Sequence, residues 1–244
     1  YQGQGPDEIT IIGHVGIDET NRRFFVSDHG KLKIFAYDLD SVLTTPEYQP
    51  SVKIDMKKKL FPDDYLYLND TLYIAKIIEP IGNNDYKPSV ARWNMATGEI
   101  NPMPYEYPDL KKVRFIYAAS AEHQLYVQCY TQYDLMTICD FNGNLKCNIY
   151  GPKWVNEKTQ TQHYSLGVEF CGDKILALYS GGDHRTDAYY PTKFLVFDLN
   201  GNYLKTLETG YMITDFCYDK ENNRLIINLN DEIQFAYLDL EGII

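Results

Sequence analysis

The chain lacks the marks of several common protein classes. No apolar run reaches the length that crosses a membrane as a helix. No sustained period near 3.6 appears in the apolar residues, which excludes a helical solenoid. No Gly-rich phosphate loop, no H-E-x-x-H and no G-x-S-x-G occurs. Positive charge is scarce: 23 Lys and Arg stand against 34 Asp and Glu, a formal net charge of −11. The single basic cluster, Lys57-Lys58-Lys59, reads as a solvated loop, and sequence-independent binding to nucleic acid is excluded for want of clustered cations. The five cysteines, Cys129, Cys139, Cys147, Cys171 and Cys217, are an odd set without a close CxxC pair, which fits neither a zinc ribbon nor a disulfide framework. They read as small buried hydrophobes. A tight turn at Asn142-Gly143 sets Cys139 opposite Lys146, so Cys139 and Cys147 are out of register for a bridge.

What is present is a repeat. A short apolar strand followed by a turn of acid, Asn or Gly recurs at Ile34–Asp40, Val90–Gly98, Thr137–Gly143, Leu195–Gly201 and Phe235–Gly242. Before each copy lies a hairpin, such as Tyr65–Leu68 with Leu72–Ala75, or Gly167–Phe170 with Ile175–Leu178. Two hairpins per repeat make a four-stranded antiparallel sheet. Intervals of roughly 40 to 60 residues are those of propellers and solenoids. Several strands, Ile175–Leu178 and Phe194–Phe197 among them, are apolar on both faces, which suits blades buried on both sides. The expectation is one all-β domain over residues 1–244, a β-propeller with repeats at roughly 10–60, 61–105, 112–152, 163–209 and 211–244, the last without its outer strand. A β-sandwich is the runner-up. An unpaired blade edge would be open to association.

The segment Gln2-Gly3-Gln4-Gly5-Pro6-Asp7-Glu8, followed by Gly16-Ile17-Asp18-Glu19 and Phe25-Val26-Ser27-Asp28, resembles the TolB-like six-bladed propellers of Bacteroides-type bacteria, where a GxGPxE loop closes the first blade. The turn Phe197–Gly201 is similar to that family's blade ending. The resemblance implies six blades, of which five are visible here and the first is missing. It also implies export to the cell envelope, periplasmic or surface-exposed, often as a lipoprotein.

Long loops joining blades, and those joining second to third strands, are expected on one face and are the usual binding surface. Four segments qualify: 81–88, 101–112, 151–163 and 181–191. They supply Tyr86, Tyr105, Tyr107, Trp154, His163, Asp183, His184, Arg185, Tyr189 and Tyr190 as ligand-binding candidates. Aromatic platforms mixed with polar tips suit a glycan, a peptide or an envelope protein. Asp183-His184-Arg185-Thr186-Asp187 offers a base or ligand type, but a second His at ligand spacing is lacking. Asp18, Glu169 and Asp215 sit on inner strands, where carboxylates suit a divalent cation such as calcium. No catalytic residue is assigned and no cofactor is expected beyond that cation. Two functions follow: a non-enzymatic binding or scaffold propeller of the envelope, or a metal-dependent hydrolase or lyase acting in a central channel.

Overall fold

The computed structural model describes residues 3, 8–82 and 85–244, with the side chain of Asp187 left aside. Two compact units divide the chain, residues 1–104 and 105–244. Every sheet is an antiparallel meander in which sequence order equals spatial order.

The first unit holds two four-stranded sheets. One comprises β1 (Ile12–Asp18), β2 (Arg23–Asp28), β3 (Lys33–Asp38) and β4 (Ser51–Asp55). The other comprises β5 (Phe61–Asn69), β6 (Leu72–Gly82), β7 (Asp85–Asn94) and β8 (Glu99–Pro102). β1 and β5 lie side by side, and the sheets pack through Phe25, Ile34, Met56, Tyr65, Tyr73 and Trp93. The turn expected after β3 is instead a short helix, α1 (Leu39–Thr44). Asp38 caps it, its carboxylate accepting from the Ser41 N–H at 2.7 Å.

The second unit holds three sheets. The third sheet of the chain runs β9 (Phe115–Ser120), β10 (Leu125–Tyr130), β11 (Leu135–Asp140) and β12 (Leu145–Tyr150). The fourth runs β13 (Thr161–Cys171), β14 (Lys174–Asp183), β15 (Lys193–Asp198) and β16 (Tyr203–Glu208). The last has three strands, β17 (Ile213–Asp219), β18 (Arg224–Leu229) and β19 (Phe235–Asp239), and no outer strand among the described residues. The middle strands are the most buried: every residue of β10 is buried. One core joins sheets three and four through Val127, Ile138, Tyr164, Val168 and Ile175. A second joins four and five through Leu176, Phe194, Phe216 and Leu225.

The repeated turn chemistry is the same in atomic detail. In Asp140-Phe141-Asn142-Gly143-Asn144 the Asp140 carboxylate accepts from the N–H groups of Asn142 and Asn144 and from the Asn144 amide, each at 2.8 Å. Asp198-Leu199-Asn200-Gly201-Asn202 repeats this at 2.9, 2.8 and 2.8 Å. Gly143 and Gly201 supply the left-handed backbone, with φ of 79° and 84°. These turns are longer than a two-residue hairpin and put a bulge at Ile138/Cys139. Cys139 therefore pairs with Leu145 rather than Lys146, and Cys147 pairs with Ile138. All five cysteines are free thiols.

Candidate ligand-binding cleft

In the second unit the loops of one end are stitched to each other by backbone bonds. The Thr131 N–H donates to Arg114, His163 to Thr131, His184 to Gln160, Thr209 to Thr192 and Asn230 to Met212. Tyr105, Tyr107, Trp154, Asp183, His184, Arg185, Tyr189 and Tyr190 all belong to this loop-rich part of the second unit or to strands entering it. Tyr86 lies in the first unit on β7, paired with Pro80, beside Asn83 and Asn84, which fall outside the described residues.

The sequence candidates separate into distinct groups. Tyr107 meets Trp154 edge-on at 5.8 Å and Tyr150 at 6.4 Å, and the two tyrosine hydroxyls are 3.3 Å apart. Trp154 also packs on Tyr150 and Tyr133. Tyr105 accepts from Asn148 at 2.8 Å, so it anchors the incoming chain to β12. The rings of Tyr189 and Tyr190 meet at a tilt of 32°, their centres 4.2 Å apart. Asp183 is committed to Arg185, accepting from its backbone N–H at 2.9 Å and from its guanidinium at 3.1 and 3.2 Å. That guanidinium holds the Asp183 carboxyl at about 2. The His184 Nδ1 sits 2.9 Å from the Gln160 carbonyl, which ties two loops together.

His163 is not at the surface. It lies on β13 with 1% of its area exposed, next to the equally buried Asp134. The Tyr179 hydroxyl donates to Asp134 Oδ1 at 3.3 Å, and His163 Nδ1 is 3.3 Å from the Tyr179 oxygen. With the tyrosine proton on Asp134, Nδ1–H of a neutral imidazole is the remaining donor. Burial pushes His163 below its ordinary range, Lys153 pushes the same way, and Asp134 opposes them. Asp134 Oδ2 accepts from the Lys153 N–H at 2.9 Å. Gly151 allows this approach, since a Cβ there would stand 2.1 Å from the Asp134 carboxyl.

Above this buried group, between sheets three and four, lies a cleft of about 400 Å³. Tyr150, Tyr179 and Tyr203 line it together with Asp134, Lys193 and Glu208 over an apolar floor of Ile149, Leu195 and Phe197. Lys193 and Glu208 face each other across β15 and β16, 3.6 Å apart. The Lys193 ammonium also stands 5.9 Å from the Tyr179 ring centre. Tyr150 and Tyr203 are 50% and 57% exposed, so broad ring area is open to a ligand. Loop length pointed elsewhere: of the sequence candidates none lines this cleft. The available signal was tyrosine and charge at strand ends, at Tyr150, Lys193 and Glu208.

The carboxylates expected to suit a cation are divided between the two units, Asp18 in the first and Glu169 and Asp215 in the second. In the first unit, buried Asp18 binds the Asn21 amide at 2.9 Å and the Arg23 Nε at 3.0 Å, which makes it part of an internal ion pair. Glu169 on β13 is half-buried and Asp215 on β17 is exposed. No group of three His, Cys, Asp or Glu side chains that suits a metal occurs among the described residues. No helix among them is long and apolar enough to cross a membrane.

Comparison with known proteins gives the fold. A family model described as a 6-bladed beta-propeller matches residues 1–73, the first sheet and the start of the second. The chain is similar to the extracellular domain of a protein assigned to a one-component system from B. thetaiotaomicron, with a TM-score of 0.59 and 10% identity. That match covers 95% of this chain but 28% of the other, so the chain spans about a quarter of that protein's length. A DUF4221-family member from Bacteroides vulgatus matches with a TM-score of 0.66 and 11% identity, covering 98% of this chain and 81% of that one. A chain of the nidogen/laminin complex matches at 0.58 and 12% identity, covering 95% and 76%. A search of curated proteins finds no match. The chain is an all-β propeller. Five of its blades are described, four of them four-stranded.

Proposed function

We propose that this propeller is a non-catalytic recognition module of the bacterial cell envelope and that it binds carbohydrate in the cleft between its third and fourth blades. The observation that carries the reading is the pairing of two open tyrosine rings, Tyr150 and Tyr203, with Lys193 and Glu208 around one opening, above the buried Tyr179 and Asp134. Sugar rings present apolar C–H faces and a rim of hydroxyls. Tyrosine faces take the former, while a carboxylate and an ammonium order the latter. The opposed signs of Lys193 and Glu208 leave no strong charge demand, which favours a neutral sugar over an anionic ligand. The Tyr107, Tyr133 and Trp154 cluster holds Tyr150 in place from behind. The TolB-like kinship and the envelope location rest on the sequence resemblance, with support from the extracellular domain of like fold from B. thetaiotaomicron and the protein of like fold from Bacteroides vulgatus.

The test is a neutral-oligosaccharide array followed by calorimetric titration. Tyr150→Ala and Tyr203→Ala should each weaken binding by about 1 kcal/mol, roughly fivefold, with little change in melting temperature. Binding unaffected by both substitutions, or absent across neutral glycans, would remove the reading.

A further inference from the structure

One wall of the cleft is held by a carboxylate that a buried histidine faces. Tyr150, Gly151 and Pro152 form that wall. Asp134 fixes it twice: its carbonyl accepts from the Gly151 N–H at 2.8 Å, and its Oδ2 accepts from the Lys153 N–H at 2.9 Å. The other carboxylate oxygen looks towards β13. Asp134 Oδ1 accepts from the Tyr179 hydroxyl at 3.3 Å and lies 3.7 Å from His163 Nδ1. His163 Nε2 faces the Thr159 hydroxyl at 3.4 Å. Charge reaches His163 from Asp134, between β10 and β11, and from Lys153, in the loop after β12. Tyr179 on β14 and Tyr164 on β13 are its titratable neighbours, with Cys129 of β10 beside Tyr164. Lys193 of β15 stands 5.9 Å from the Tyr179 ring centre and pairs with Glu208 of β16.

In the neutral imidazole Nδ1 carries the hydrogen, so an added proton goes to Nε2, whose N–H then donates to Thr159 Oγ1. The ring becomes a cation shut away from water beside one carboxylate. A charge-assisted bond closes to about 2.8 Å, so the 3.7 Å gap to Asp134 must shrink. As the carboxylate moves, either its bond to Lys153 breaks or the loop follows it. Both outcomes displace the wall. We infer that protonation of His163 switches the carbohydrate cleft: the neutral imidazole leaves Asp134 holding the 150–152 wall in place, and the imidazolium draws that carboxylate towards β13 and takes the wall out of register. The ligand class rests on the carbohydrate reading, whereas the movement of Asp134 does not. Burial sets the switch below the ordinary range of histidine. Binding is therefore strong at neutral pH and is lost as pH falls through the folded value. By reciprocity, a bound sugar makes His163 harder to protonate.

The test uses the full chain and two readouts between about pH 7.5 and pH 5. The first is NMR without sugar: the Lys153 amide proton should shift with the same midpoint as the His163 ring, and His163→Gln should hold it still. The second is the neutral-oligosaccharide array, where binding should be about tenfold weaker at the acid end. His163→Gln should bind equally at both ends, and His184→Gln, at the exposed histidine of the next loop, should keep the tenfold ratio. Circular dichroism at both ends shows that the fold persists. A Lys153 amide that ignores the His163 titration overturns the switch whether or not a sugar binds, and it needs no variant that folds. Equal array binding at both ends overturns it too. An array empty at pH 7.5 while the amide follows His163 removes the carbohydrate reading, and the sugar switch with it, but leaves the movement of Asp134 established.

Discussion

The Tyr179 hydroxyl donates to the Asp134 carboxylate at 3.3 Å, joining the fourth blade to the third at a point where both residues are buried. Asp134 uses its other oxygen to hold the Lys153 N–H, and its own carbonyl accepts from Gly151. One carboxylate thus fixes the blade seam and the loop that carries Trp154. Asp134→Ala strips two donors of their acceptor and should cost about 2–4 kcal/mol in urea unfolding. Tyr179→Phe removes one hydroxyl and should cost about 1–2 kcal/mol. Equal losses would mean that the Tyr179 bond alone carries the seam and that the bond from Asp134 to the Lys153 N–H contributes nothing.

His163 makes that seam sensitive to acid. Burial holds its folded pKa below the unfolded value, so the neutral form is favoured by folding. The stabilisation is complete above the unfolded pKa of about 6.5 and is lost as pH falls below it towards the folded value. Unfolding followed from pH 7.5 to 5 should show this loss, and His163→Gln should flatten it. An NMR titration placing His163 at or above about 6.5 would contradict the assignment.

In the first unit, Asp28 carries a comparable load. Its buried carboxylate accepts from the N–H groups of Thr10, Ile11, Gly30 and Lys31 at 2.8 to 3.1 Å. Burial alone would raise its pKa, but the four backbone donors outweigh it and the folded value is lowered. The stabilisation is therefore present above the unfolded carboxylate range and disappears as pH falls through it. Asp28→Ala should cost about 3 kcal/mol or more at pH 7, and Asp28→Asn less, measured by urea unfolding. A loss under about 1 kcal/mol would show that water replaces the carboxylate.

Much of the blade architecture was legible because its causes are local. The doubly apolar runs at Ile175–Leu178 and Phe194–Phe197 announce strands covered on both faces; β14 is so covered along its run, and β15 at Phe194, Val196 and Phe197 with Leu195 half-buried. The Asp-x-Asn-Gly-Asn turns read from sequence because one carboxylate and one left-handed glycine suffice to make them. The errors were also local in origin. Asp38 was read as a turn residue, yet the same carboxylate that shapes turns also caps helices, and here Ser41 stands where the cap needs a donor. Counting a two-residue turn at Asn142-Gly143 misplaced Cys139, since the register depends on how far the Asp140 carboxylate reaches.

The cleft was illegible for a different reason. Asp134, Tyr150, Tyr179, Lys193, Tyr203 and Glu208 span 75 residues, and nothing in their spacing relates them. Strand periodicity tells which side chains turn inward but not which neighbouring blade they meet. The length and polarity of its segment predict a loop position for His163, yet it lies on β13. Whether it faced solvent or the seam was decided by the backbone bond from its N–H to Thr131, a contact across blades. By itself the sequence determined the strands, their turns and their grouping into blades, because those depend on residues within hydrogen-bonding reach along the chain. Tertiary structure alone decided which polar groups are buried together and which aromatic rings stay open. Those outcomes depend on packing between sheets, where desolvation acts on residues distant in sequence.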